Sequence, residues 1–115
     1  MDATRDRLAD LLAAYYEGSG FRVERRADGR VLGHGFGGVT WIGLPVVPSD
    51  LEDPAFPDRL RALSEERMPT GERCPLELLP DEPCADDLRA LLGELHLAER
   101  GHVEVYSVLS ATRAG

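Results

Sequence analysis

Residues 39–46, VTWIGLPV, would carry apolar side chains to both sides of an extended chain. A strand with no wet face has to lie inside a sheet that is covered from above and below. This one stretch therefore calls for a layered domain with helices on each face of its sheet. The preceding residues narrow the arrangement. Phe21, Val23 and Arg25 alternate with Arg22, Glu24 and Arg26 as in a strand with one wet side. ADG at 27–29 supplies a hairpin turn, and residues 30–36 a second strand. If Gly37 and Gly38 form a two-residue primed turn, Phe36 faces Val39 and His34 faces Trp41. One face of the ribbon then carries Leu32, His34, Phe36, Val39 and Trp41, and the other Gly33, Gly35, Thr40, Ile42 and Leu44. The glycine side lets a helix or a ligand come close to the backbone.

The flanking segments supply the covering layers. From Thr4 to Tyr16, Leu8, Leu11, Leu12, Tyr15 and Tyr16 recur at helical spacing, and GSG at 18–20 ends the run. Residues 49–58, rich in proline and acids, read as a loop. Phe56, Leu60 and Leu63 mark a short second helix, and Leu88, Leu91, Leu92 and Leu95 a third over about 85–97, with Asp86 and Asp87 at its positive end and Gly101 beyond it. LELL at 76–79 reads as a short strand or an ordered loop between prolines, and 102–109 as a closing strand with Glu104 and Tyr106 on one face and Val103 and Val105 on the other. The order α-β-β-β-α-(β)-α-β gives an α+β domain: an antiparallel meander extended into a mixed sheet packed by helices. A chain of 115 residues fits one such domain, with flexible ends expected at about 1–3 and 110–115.

Composition removes several chemistries. The net charge is −8, all thirteen basic residues are arginine, and Lys, Asn and Gln are absent, a bias typical of a GC-rich bacterial genome. Acidic surfaces repel nucleic acid, so no nucleic-acid partner is expected. Without lysine there is no P-loop or Schiff-base lysine, and without Asn or Gln no side-chain amide for an oxyanion hole. No apolar run is long enough for a membrane span and the start of the chain has no signal-peptide pattern, so the expected location is the cytoplasm, away from membranes. Cys74 and Cys84 are nine residues apart, outside zinc-knuckle spacing, and are expected as free thiols; Cys84, just before a helix, could have a lowered thiol pKa. His96 and His102 read as boundary residues, and Ser107 lies outside any nucleophile-elbow motif. No cofactor and no metal is expected.

The helix followed by a three-stranded meander is similar in order to restriction-endonuclease-like domains. Such a nuclease would need an acid on the second strand and an acid-x-Lys on the third, where this chain has VLGHGFG and VTWIGLP. The resemblance therefore implies a catalytically degenerate domain and no nuclease. Two readings of function follow from the residues. The first is a small acidic, non-catalytic accessory protein that binds a protein partner, or a second copy of itself, through its acidic surface and an exposed strand or aromatic patch. The alternative is a small enzyme or small-molecule carrier with a pocket beside His34 and Trp41, walled by Phe36 and Tyr106, with Arg30 as an anion anchor and His34 as general base.

Overall fold

The computed structural model describes residues 3–107. Helix α1 (Ala3–Gly18) leads into a meander of β1 (Arg22–Arg25), β2 (Val31–His34) and β3 (Thr40–Val46). Helices α2 (Pro48–Glu52) and α3 (Phe56–Ser64) then cross to β4 (Leu76–Pro80), and α4 (Ala85–Glu94) to β5 (Val103–Val105). The five strands pair in the order β1-β2-β3-β4-β5, antiparallel through the meander and parallel from β3 onward. This is the expected α+β mixed sheet. The doubly apolar third strand is its centre, and LELL forms a strand that extends into Pro80.

The two faces are filled differently. Ile42, Leu44, Leu76, Leu78 and Val103 point to an aliphatic core shared with Phe56, Leu60 and Leu63 of α3 and with Leu88 and Leu92 of α4. On the opposite face, Leu8, Leu12 and Tyr16 of α1 pack on Val31 and Leu79, flanked by Phe21, Val23, Trp41 and Tyr106. Gly33 and Gly43 make room there. A methyl group at Gly33 would sit 3.0 Å from the Tyr16 and Phe21 rings, and one at Gly43 would sit 2.8 Å from the Tyr16 hydroxyl. The smooth glycine side is therefore the seat of α1.

Several boundaries depart from expectation. Part of the stretch expected as a loop forms α2: Pro48 opens it with its φ already set, and the Asp50 carboxylate accepts the Val47 N–H at 2.9 Å. Arg5 of α1 grips the same carboxylate with two hydrogen bonds of 2.8 and 2.9 Å. Helix α4 stops at Glu94, well before Gly101. His96 turns the chain at φ 60, and the Leu97 N–H returns to the Leu92 carbonyl at 2.9 Å, which drives Leu97 into the core. The last strand, expected over 102–109, spans Val103–Val105, with Tyr106 and Ser107 outside it and 108–109 outside the described residues. Of the ends expected to be flexible, 1–3 and 110–115, Ala3 opens α1 and the rest lie outside the described residues.

Candidate functional site

At the β2–β3 turn, Gly37 and Gly38 do take positive φ, 70° and 81°, as a primed turn requires. The connection nevertheless holds three residues. The Gly35 N–H donates to the Val39 carbonyl at 2.9 Å, and Phe36 is left over as an extra residue. The register therefore slips by one from expectation: His34 lies opposite Thr40, and Gly33 opposite Trp41. One residue of slip exchanges the faces of a strand. His34 joins Leu32, Thr40 and Ile42 on the α3 side, whereas Trp41 turns toward α1, so the expected His34–Trp41 pocket does not form.

The expected site residues thus separate into three places. His34 hydrogen-bonds Glu24 at 2.8 Å, which holds the Glu24 carboxyl below the usual range, and the imidazole is committed to this pair. It borders, with Arg22 and Phe36, an open hollow of about 210 Å³. Phe36 is 100 % exposed at the tip of the hairpin. The tip is braced from behind, because Gly38 lies so close to Pro69 that a side chain there would meet its ring at 2.9 Å. Arg30 pairs with Asp28 at 2.9 Å and Glu66 at 3.4 Å beside a small hollow that it shares with Arg5, Arg25 and Arg26. Each of those arginines also has its own carboxylate, Asp50, Asp10 and Glu24 respectively, so the hollow offers no uncommitted cation as an anion anchor.

Trp41 and Tyr106 do share one site, as walls of a cleft of about 390 Å³ that also includes Met68, His102 and Glu104. Its floor is Glu77, a residue the sequence reading did not single out. The side chain is 3 % exposed. Tyr16 donates to one carboxylate oxygen at 2.6 Å, and the Tyr106 hydroxyl donates to the other. Burial pushes the Glu77 carboxyl above its ordinary range against the pull of both hydroxyls, and the Glu104 carboxylate adds to the rise. Burial and the facing carboxylate likewise raise both phenols, so each remains a donor at neutral pH. Gly43 sits directly opposite Glu77 on β3 and leaves the space through which Tyr16 reaches it. The signal was present in LELL: a parallel strand is covered on both faces, so an acid within it has to be buried and bonded.

Both cysteines are buried free thiols. Burial raises the Cys84 thiol, which donates to the Asp81 carbonyl at 3.3 Å, so the helix-activated thiol is not realised. His102 is tied to the Ser64 carbonyl at 2.8 Å. Among the described residues no group of three or more His, Cys, Asp or Glu side chains is arranged to hold a metal ion, and no helix is long and apolar enough to cross a membrane. Neither β2 nor β3 carries the acids or the lysine that the nuclease resemblance would require. Compared with protein-family models, curated proteins and solved structures, the chain matches none.

Proposed function

We propose that the protein is a non-catalytic binding module that docks a protein partner through the tip of its β2–β3 hairpin. The observation that carries this reading is Phe36, the only large hydrophobic side chain fully exposed among the described residues, held at a turn of glycines braced by Pro69. An aromatic ring presented on a rigid projection fits the anchor of an interface, where a few buried aromatics supply most of the binding energy. The commitment of His34 to Glu24 and of Arg30 to Asp28 and Glu66 supports a non-catalytic role for this end of the sheet. Two free thiols in the core suit a reducing compartment, and we place the protein in the cytoplasm.

The test is affinity capture from the native cell extract with the tagged protein and with Phe36→Ser, followed by light scattering of each eluate. A stoichiometric protein retained by the wild type and lost by the variant is expected. Identical eluates would sink the reading. A homodimer abolished by Phe36→Ser would assign the docking partner as a second copy.

A second reading rests on the cleft between Trp41 and Tyr106. Aromatic walls over one buried polar group suit a small-molecule carrier, with Glu77 in the place that His34 was expected to fill. Saturable quenching of the single tryptophan by a metabolite mixture, abolished in Glu77→Gln, would support it, and an unchanged spectrum would remove it.

A further inference from the structure

At the opposite end of β3 from the Phe36 turn, α2 and α4 border a groove of about 530 Å³. Leu51 and Leu91 form its floor, both half-buried on the aliphatic core, and Ala90 is exposed on its wall. Its rim carries Glu52, Asp87 and Glu94 and no basic residue. None of these three carboxylates pairs with an arginine or histidine among the described residues. The nearby cations are engaged elsewhere: Arg89 with Asp86 at 3.7 Å, Arg5 with Asp50 at 2.8 Å, and Arg7 with Asp81 at 3.8 Å. Carboxylates such as Glu17, Asp53 and Glu72 likewise stand outside any ion pair among the described residues; this rim is distinguished by three acids, and no base, bordering an apolar floor. An apolar floor inside a rim of one sign selects a ligand that is apolar in its middle and positive at its edges.

We infer that this groove receives a basic segment of a partner protein, with an aliphatic side chain seated between Leu51 and Leu91 and flanking Arg or Lys side chains on Glu52, Asp87 and Glu94. The inference rests on reading the chain as a protein-binding module and assigns the partner's chemistry at a surface separate from Phe36. Wild-type association is steered by the charged rim and weakens with salt, while the apolar floor sets the register.

The probe is a fluorescent peptide of about 12 residues with two leucines four apart and arginines on either side, followed by anisotropy against the intact protein. The expected result is saturable binding that weakens at least tenfold in Glu94→Arg and in Ala90→Phe, and is unchanged in Phe36→Ser. Glu94 lies in the last turn of α4, where a cation suits the helix dipole, so its reversal should leave the fold as stable as before. Ala90→Phe keeps every charge and fills the groove, and thermal melts of both variants check their folding.

Absence of saturable binding, wild-type affinity in both variants, or equal binding by a peptide with serines for leucines would each overturn the inference. So would a wild-type dimer that Ala90→Phe dissociates, since the occupant would then be a second copy. If the peptide fails while Phe36-dependent capture stands, only this inference falls. If the peptide binds as expected while Phe36→Ser captures the same proteins as the wild type, the groove stands and the hairpin reading falls.

Discussion

The two faces of the sheet share five strands and little else. Toward α3 and α4 the sheet presents leucine, isoleucine and valine, and cohesion there comes from apolar packing. Toward α1 it presents two glycines and a group of aromatic rings, Phe21 and Trp41 with centroids 4.9 Å apart and Tyr15 and Tyr106 at 5.6 Å, around one buried carboxylate. A face of aliphatics depends on volume. The aromatic face depends on directed bonds, which fix the position of α1 and leave a cleft where the rings do not close.

This contrast can be broken or sharpened by substitution. The largest loss of stability is expected on the aliphatic face: Leu78→Ala should cost about 2–5 kcal/mol in urea unfolding, because the cavity lies between α-helices and strands that cannot collapse into it. A cost under about 1 kcal/mol would mean that this face is not the rigid one. Next comes Gly43→Ala, expected to cost about 1–3 kcal/mol by crowding Tyr16 and Leu12. Repeating it in a Tyr16→Phe background removes the closest contact, and the cost should shrink. Equal costs in both backgrounds would deny that Gly43 serves the Tyr16–Glu77 bond.

Smaller still is Glu77→Gln, whose signature is its pH dependence. Because the folded-state pKa of Glu77 is raised, the folded protein holds this proton longer than the unfolded chain does. Wild-type stability therefore carries a falling contribution as pH rises from the ordinary carboxylate value of about 4.3 toward the raised value. Glu65 and Asp28, held low by their arginines, contribute in the opposite direction, so the difference between wild type and variant isolates Glu77. The variant should cost about 1 kcal/mol in the acid range, where Glu77 is protonated, and should gain relative to wild type as pH rises. A flat difference curve would place Glu77 in an ordinary environment. Above about pH 10 both proteins should lose stability, because unfolding releases the phenolic protons that Tyr16 and Tyr106 retain when folded. The smallest effect belongs to Phe36→Ser, expected within about 0.5 kcal/mol of wild type by the same urea assay, even though it is the variant expected to lose a partner.

The layered α+β architecture was legible because VTWIGLPV has no wet face and the leucine stripes of 4–16 and 85–97 have clear helical spacing. The register was less legible. Both turn glycines adopt the dihedrals that their identity suggests, yet one extra residue, Phe36, separates a two-residue from a three-residue connection, and nothing local to GHGFGG distinguishes them. That single residue moved Trp41 to the opposite face and dissolved the pocket centred on His34. The end of α4 was hidden for a similar reason: His96 takes the left-handed conformation that usually marks glycine, so the chain turns without the expected residue. Of the candidate site, Trp41 and Tyr106 were identified but their shared floor was not. Glu77 draws its role from Tyr16 and Tyr106, sixty-one and twenty-nine positions away, and such partners are set by the sheet order rather than by any local motif.

Those separations also bear on the order in which the protein can be made. Tyr16 leaves the ribosome with the first helix, Glu77 much later, and Tyr106 later still. Helix α1 can form early, but its last turn has no finished polar partner until the final strand arrives. Neither face can close before β5 is available, since Val103 completes the aliphatic cluster and Tyr106 the aromatic one, and a released chain truncated before Tyr106 would leave one Glu77 oxygen without its phenolic donor.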